Sequence, residues 1–284
     1  MILITGATGQ VGGAALTALS DVAATGAAVR ALVRRPAEFA APSGVEVVGG
    51  SFDDDASLAA AFAGVETLLV AGRDSPESVA QHRRVLAHAA RAGVRHIVKL
   101  SAIGAKPSSP IALMHEHHEV DEVVREEPAD WTLLQPHLYM QNLLRAADAV
   151  RAEGRLVAPM GRDRFPFVDT NDVGAAAAVV LGDPAHHAGQ TYALTGPAAI
   201  GYDEIAAAFE QVAGQAVTYE PVSPAEFQAR LLASGLPDWR AFDLAYIASA
   251  YSADDNVVRA DLRRLLGRAP TSLAEFAERH RNRF

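Results

Sequence analysis

Near its amino terminus the chain reads ILITGATGQVG (residues 2–12), in which a short apolar run passes into a helical pattern through three regularly spaced glycines. The run Ile2–Thr5 is typical of a buried strand. Gly6 permits a tight turn, Gly9 lets the backbone approach a ligand, and Gly12 allows close packing of a helix on the strand. The stretch therefore predicts a strand, a turn and a helix in immediate succession.

The same alternation continues to about residue 135. The sequence predicts five more strands, at Ala28–Val33, Glu46–Val48, Thr67–Ala71, His96–Ser101 and Trp131–Gln135. Helical patterns lie between them, and the clearest is Ser78–Ala92, where apolar residues recur at helical spacing. Strands that alternate with helices in this way form right-handed crossovers and a parallel sheet. We therefore predict an α/β fold with a Rossmann-type, doubly wound parallel sheet.

Beyond residue 135 the pattern is less regular. The sequence predicts a helix at Leu138–Ala152, an extended run at Arg164–Val168, a helix at Thr170–Leu181 capped by Thr170 or Asn171, and a strand at Gln190–Leu194. Several short helical segments follow, punctuated by proline and glycine. We expect a Rossmann domain at residues 1–153, completed by residues 164–195, and a smaller, mostly helical C-terminal lobe at 196–284 that covers the crevice of the sheet.

The composition excludes several classes of protein. The net charge of −9 and the lack of a basic run argue against a nucleic-acid partner. The lack of cysteine excludes disulfides, thiolate chemistry and cysteine-based zinc sites. No signal-peptide pattern and no apolar window of about 18 residues is present. We expect a soluble, cytoplasmic, bacterial protein without a membrane partner, as a monomer or homodimer.

The glycine turn also predicts a dinucleotide site. A pyrophosphate binds well at a helix N-terminus, where unpaired N–H groups and the positive end of the helix dipole face it. The candidate cofactor contacts in the turn are Gly6, Thr8, Gly9, Gln10 and Val11. The alternative is a glycine-rich turn that binds nothing, but the strand before it and the helix after it favour the nucleotide.

Arg34, at the end of the second predicted strand, indicates which dinucleotide is bound. A carboxylate at this place would bind the ribose 2′-hydroxyl of NAD, whereas a guanidinium suits a 2′-phosphate. The sequence thus favours NADP(H) over NAD(H), with a solvated surface arginine as the alternative.

Phe52 is a candidate for packing on the adenine or for the core. Ala71 and Gly72, after the fourth strand, are small enough for a dinucleotide to approach.

With these residues in view, the chain resembles the NmrA-like branch of atypical short-chain dehydrogenases, and within it the bacterial NADPH:quinone oxidoreductases of the second type and the triphenylmethane reductases. The resemblance covers nearly the whole chain and is strongest in GATGQVG (6–12), ALVRRP (31–36), QHRRVLAHAARAGVRHIVKLS (81–101), DWTLLQPHLYMQNL (130–143), FPFVDTNDV (165–173) and YALTGP (192–197). It implies NADP(H) at the carboxyl edge of a Rossmann sheet and a substrate between the sheet and the lobe.

The resemblance also points to the place of the chemistry. Typical short-chain dehydrogenases carry a Tyr-x-x-x-Lys pair on the helix after the fifth strand, and this chain lacks it. The resemblance instead implies a histidine with an acid four residues on, which fits His117 and Asp121 best and His115 and Glu119 in another register. The pair either donates a proton or forms a structural bond that closes the helix against the sheet.

Further site candidates lie at the ends of the fifth and sixth strands. Ser101 either contacts the cofactor and substrate oxygen or caps its strand, and Lys99 points to the same face and needs a partner. The resemblance implies a nicotinamide contact at Pro136, His137 and Leu138, and a substrate wall at Tyr139, Met140 and Asn142. Plain core is the alternative for Tyr139 and Met140.

Metal binding is not predicted. His117 with Asp121, and His186 with His187, have the spacing of metal ligands, but neither pair has a third ligand, and hydride transfer needs no metal.

The sequence thus favours an NADPH-dependent reductase that transfers hydride to a quinone-like or aromatic, conjugated small molecule. Two alternatives stay open. One is a regulatory protein that binds NADP(H) to sense redox state without catalysis. The other is a natural-product tailoring enzyme that performs ketoreduction, isomerisation or dehydration.

Overall fold

The computed structural model describes residues 1–22 and 28–284, and within them a seven-stranded parallel sheet and a second sheet of two parallel strands. The strands are β1 (Ile2–Ile4), β2 (Val29–Val33), β3 (Val45–Gly49), β4 (Thr67–Val70), β5 (His96–Leu100), β6 (Asp130–Pro136), β7 (Arg155–Ala158), β8 (Gln190–Leu194) and β9 (Thr218–Pro221). The large sheet has the order β3-β2-β1-β4-β5-β6-β8, and β7 pairs with β9. Since the order reverses beside β1, the carboxyl ends of β1 and β4 border a crevice, which is where such sheets bind ligands.

Helices cover both faces of the large sheet. The α-helices are α1 (Gln10–Val22), α2 (Asp55–Ala61), α3 (Ser78–Ala92), α4 (Ala112–Glu126), α5 (Ala147–Glu153), α6 (Thr170–Gly182), α7 (Tyr202–Ala213), α8 (Pro224–Ala233), α9 (Asp238–Tyr246), α10 (Asp261–Leu266) and α11 (Leu273–Arg279). Leu16 of α1 and Val173 of α6 are buried on one face, and Val85 of α3 and Val124 of α4 are buried on the other. The predicted doubly wound α/β fold is therefore confirmed.

The segment after β6 departs from the prediction. Leu138–Ala152 is not one helix: a 3₁₀ helix at Met140–Ala146 precedes α5. The reason is that the Met140 N–H donates to the Val168 carbonyl at 2.9 Å, so the chain is held against a neighbouring segment before it can coil. The predicted run Arg164–Val168 forms only isolated bridges, to Tyr139 and Ile200. The N-cap of α6 is Asp169, whose carboxylate accepts from the Asn171 N–H at 2.9 Å, rather than Thr170 or Asn171.

Residues 196–284 pack, through Phe209 and Phe276, into an apolar cluster that they share with earlier residues such as Val150 and Phe167. They contain strand β9 besides their helices, and β9 pairs with β7 from before the predicted boundary. The division of the chain at residue 196 therefore stays a prediction. Within the described residues, no helix is long and apolar enough to cross a membrane.

Candidate active site

The glycine turn between β1 and α1 is tightly packed on one side and open on the other. Gly6 has a φ of +63°, and a Cβ on it would lie 2.7 Å from the Ala71 carbonyl oxygen. A Cβ on Gly12 would lie 2.3 Å from the Gly6 carbonyl oxygen. Thr8 and Gly9, in contrast, are exposed. The open side of the turn is therefore a shallow depression, here called the cradle, which a side chain in place of glycine would fill.

Helix α1 begins at Gln10, directly behind this cradle. Its first turn contains no acidic residue, so the N–H groups and the positive end of its dipole face the open side without a competing carboxylate. Val11 is buried in the apolar layer beneath the sheet, which leaves its backbone as the part available to a ligand. This local structure suits a pyrophosphate.

The end of β2 carries a free positive charge. Arg34 is exposed and, among the residues that the structure describes, forms no ion pair. Its neighbour Arg35 pairs with Glu38 at 2.8 Å. Arg34 is therefore the arginine whose guanidinium is available for a phosphate at this edge.

Two of the cofactor candidates, Gly72 and Phe52, lie against His82, a buried residue of α3. A Cβ on Gly72 would lie 2.6 Å from the His82 ring, so glycine is required there. Phe52 is half-buried and packs edge-on against the same ring, with centroids 5.8 Å apart. Phe52 also contacts the apolar cluster of the sheet, which fits its alternative role as core. Ala71 is buried under the glycine turn.

A cavity of about 560 Å³ lies beside the carboxyl ends of β4, β5 and β6. Its walls are mostly apolar and aromatic. The predicted residues that line it are Gly72, Ser101, His117, Pro136, His137, Leu138, Tyr139 and Asn142. Phe227, Trp239 and Tyr251, from the C-terminal part of the chain, also line it. The structure thus brings the three nicotinamide candidates and two of the three substrate candidates, Tyr139 and Asn142, together around one space.

Met140 does not lie on this wall. Its side chain is 1% exposed and packs in the cluster of Phe209 and Phe276. The 3₁₀ helix that begins at Met140 turns the side chain inward, so the core interpretation fits this residue.

The predicted His117–Asp121 pair is not in direct contact. The Lys99 Nζ lies 3.0 Å from the His117 Nδ1 and 3.7 Å from the Asp121 Oδ1. Asp121 accepts a hydrogen bond from the Ser101 Oγ at 2.5 Å. The lysine therefore stands between histidine and acid, because one helical turn separates the two side chains and β5 inserts Lys99 there. The alternative pair, His115 with Glu119, does not form. The His115 ring instead contacts the Pro107 carbonyl oxygen, which lies 3.0 Å from its Nδ1.

Burial governs the charge state of these groups. It lowers the pKa of Lys99 to about 8, an effect that the nearby Asp121 carboxylate opposes. Burial, with the Lys99 charge next, holds the pKa of His117 well below its ordinary value. Burial also lowers the pKa of His82 and of His137 to about 4 each. At neutral pH the imidazoles around the cavity are thus uncharged.

Three residues from the C-terminal part of the chain, Asp243, Tyr251 and Asn256, position this site. The Asp243 carboxylate of α9 accepts from the Ala112 and Leu113 N–H groups, at 3.0 Å each, and so caps the helix that carries His117. His137 stacks on Tyr251, with centroids 4.3 Å apart, and its Nε2 lies 3.1 Å from the Asn256 Oδ1.

Sequence reasoning missed Asp243 and Asn256. For Asp243 one sequence feature points to it: helix α4 starts after Ile111, which cannot cap it with a side chain, so an acceptor has to come from elsewhere. In the described part of the chain, no three histidine, aspartate or glutamate side chains converge as metal ligands would.

Comparison with known proteins places the whole chain among reductases. The NmrA-like family profile matches residues 1–277. The NAD(P)H azoreductase of Xenophilus azovorans is 31% identical over 99% of this chain and 98% of its own length. The NADPH complex of the Escherichia coli quinone oxidoreductase QOR2 superposes with a TM-score of 0.88 and 32% identity, over 98% of this chain and 99% of that one. The Citrobacter sp. triphenylmethane reductase complexed with NADP(H) gives a TM-score of 0.84 and 31% identity, over 98% and 99%.

Proposed function

We propose that this chain, which belongs to the NmrA-like family and, like the reductases it is similar to, is an NAD(P)H-dependent oxidoreductase, reduces a quinone-like or other conjugated aromatic acceptor with NADPH. The observation that carries this proposal is the aromatic-walled cavity of about 560 Å³ at the carboxyl edge of the sheet. The bound cofactor supplies a hydride from its nicotinamide ring. The protein supplies binding, orientation and exclusion of water.

The residues at the sheet edge fit a dinucleotide. Gly6 and Gly12 let the turn and α1 pack closely where a Cβ would clash, and the exposed Gly9 leaves the open side free for the approach of a pyrophosphate. Thr8 and the start of α1 at Gln10 offer further N–H donors there. Gly6, Thr8, Gly9, Gln10 and the backbone of Val11 would hold the phosphates.

The preference for NADPH rests on Arg34, whose exposed guanidinium has no ion-pair partner in the described residues. At the other end of the cofactor, Pro136, His137 and Leu138 would border the nicotinamide, because they line the cavity where β6 ends.

The cavity suits a flat acceptor because its walls are mostly apolar and offer several ring faces, while charged side chains such as Asp74, Glu116 and Arg240 also line it. Tyr139 borders it from the sheet side, and Phe227, Trp239 and Tyr251 border it from the lobe. Burial raises the pKa of Tyr139 and of Tyr251 above the ordinary value, so both phenols stay neutral. A conjugated acceptor held between such rings is oriented for hydride transfer while water is kept out.

NADPH oxidation in the presence of a quinone, an azo dye, a cationic triarylmethane dye and a simple aliphatic ketone tests the proposal. We expect turnover with the conjugated acceptors and none with the ketone. Turnover with the ketone alone would contradict the proposal. Tight NADPH binding without turnover of any acceptor would instead support the regulatory alternative.

Replacement of Arg34 by alanine is expected to weaken NADPH binding by about 1.5–3 kcal/mol, the range for a hydrogen bond to a charged group. NADH binding is expected to change little, because NADH lacks the 2′-phosphate. Isothermal titration calorimetry with both cofactors measures this. The matched control is Arg35→Ala, since Arg35 already pairs with Glu38. Equal affinity of the unmodified protein for NADH and NADPH would contradict the assignment.

A further inference from the structure

We propose that Lys99 and His117 form a proton-delivery pair, in which the Nε2–H of His117 donates to the reduced acceptor and Lys99 fixes that tautomer and resupplies the ring through Nδ1. The proposal rests on the reductase function proposed above. It changes the roles expected from sequence, because Asp121 here serves the lysine and not the histidine.

The tautomer follows from the contact between the two side chains. The Lys99 Nζ lies 3.0 Å from the His117 Nδ1. An ammonium group has donors and no acceptor, so Nδ1 must accept. A neutral imidazole that accepts at Nδ1 carries its proton at Nε2.

The Nε2–H has nothing in the protein to bind. His117 lines the cavity, and its Nε2 has no hydrogen-bond partner among the residues that the structure describes. A donor of this kind at the wall of a largely apolar space is satisfied only by what enters that space. The natural partner is the atom of the acceptor that gains negative charge.

Lys99 is held as an ammonium by its surroundings. Its side chain is 0% exposed, and its Nζ donates to the Leu100 carbonyl at 2.6 Å. The Asp121 Oδ1 lies 3.7 Å away and, in the described part of the chain, accepts no hydrogen bond. The other oxygen, Oδ2, is occupied by Ser101. The buried carboxylate therefore directs its charge toward Lys99 and keeps that group protonated.

The titratable groups that face Lys99 come from two helices. His82 lies on α3, and His117 and Asp121 lie on α4. Burial lowers the pKa of Lys99 to about 8, so the group is protonated at neutral pH but releases a proton more readily than a lysine in water. Both histidines are neutral, so the proton that the pair gives up is replaced from Lys99.

The proton transfers balance as follows. An acceptor that has taken up hydride carries one extra negative charge. The His117 Nε2–H bond breaks as a new bond forms between that proton and the acceptor, while a Lys99 N–H bond breaks and an Nδ1–H bond forms. Lys99 is left as a neutral amine and His117 as the Nδ1–H tautomer. After the product leaves, a water-derived proton enters at Nε2 and the Nδ1 proton returns to Lys99.

Acceptors that differ in their need for a proton test the pair. An azo bond that receives hydride becomes a strongly basic nitrogen anion and needs a proton at once. A cationic triarylmethane dye that receives hydride becomes a neutral product and needs none. In Lys99→Met and in His117→Leu, azo turnover is expected to fall by about 100-fold or more, the usual contribution of a general acid, and dye turnover to change only a few-fold. The control His115→Leu, on the same helix, is expected to alter neither.

Because both acceptors are measured on one preparation, loss of folded protein cancels in their ratio. Equal losses on both acceptors would overturn the proposal. In the unmodified protein the azo rate is also expected to fall as pH rises through about 8, the pKa to which burial lowers Lys99, whereas the dye rate is not.

Long-range ¹H–¹⁵N spectra of the histidines, recorded without cofactor, give a readout independent of turnover. We expect the Nε2–H tautomer at His117, and in Lys99→Met a rise in the His117 pKa because the neighbouring positive charge is gone. An Nδ1–H tautomer in the unmodified protein would refute the pair, even if every acceptor is reduced. Failure to reduce any acceptor would count against the proposed function. The measured tautomer of His117 would then still test whether Lys99 and His117 form the pair.

Discussion

The Gly9→Val variant is expected to lose binding of both NADPH and NADH while it keeps its fold. Gly9 is exposed at the open side of the turn, and its N–H donates to the Gly6 carbonyl at 2.8 Å. A Cβ there lies 3.1 Å from the Gly6 carbonyl oxygen, and the two methyl groups beyond it cover the first N–H groups of α1. The valine side chain would then occupy the space at the turn that the pyrophosphate needs. We expect a dissociation constant weaker than about 1 mM, or about −4 kcal/mol.

Calorimetric titration measures this loss, and circular dichroism reports the fold. The matched control is Gly182→Val at the end of α6, because Gly182 is exposed and a Cβ on it meets nothing within 4 Å. That variant is expected to bind both cofactors as the unmodified protein does. If Gly9→Val shows the same thermal stabilisation by NADPH as its parent, the phosphates bind elsewhere.

The second large effect is a loss of stability in mild acid. His82 and His137 are buried and neutral, and burial lowers the pKa of each from 6.5 to about 4. In the unfolded chain both rings take up protons near pH 6.5, but in the folded protein they do so only near pH 4. The unfolded state therefore binds more protons in this window, and the free energy of unfolding falls as pH falls. A tenfold difference in proton affinity is about 1.4 kcal/mol, so each ring removes about 3 kcal/mol.

Urea unfolding at several pH values between about 7.5 and 4 measures the slope. His82→Gln is expected to reduce that slope even if it lowers stability at neutral pH, because the titrating group is gone. The control is His186→Gln, since the His186 side chain is 80% exposed. A slope that is unchanged in His82→Gln would show that His82 is not held neutral by the fold.

Local sequence patterns predicted helices and strands well where the residues of a segment themselves determine its structure. Ser78–Ala92 and Gln190–Leu194 have the bounds that the sequence indicates, since each has a clear apolar pattern with a clear end. β7 was missed because Arg155–Ala158 is short and mixed in character, and it becomes a strand only through pairing with β9, more than sixty residues later. No local pattern contains that information.

The candidate site shows the same limit. Helical spacing placed His117 and Asp121 on one side of α4. Spacing along a helix cannot show which residue of a neighbouring strand lies between them. That residue is Lys99, which sequence analysis recognised as a buried lysine in need of a partner without identifying that partner. Pro136, which ends β6, and Leu138, which follows it, reach the cavity because the sheet topology places the carboxyl end of this strand at the cavity.

The capping of α4 by Asp243 has a consequence for biosynthesis. The two hydrogen bonds span 131 and 130 residues, so during translation the first turn of α4 is complete in sequence long before its acceptor has been made. Until residue 243 emerges from the ribosome, the N–H groups of Ala112 and Leu113 have only water to bind. Helix α4 therefore reaches its final state late, and a nascent chain released before α9 carries His117 on a helix whose first turn is still frayed.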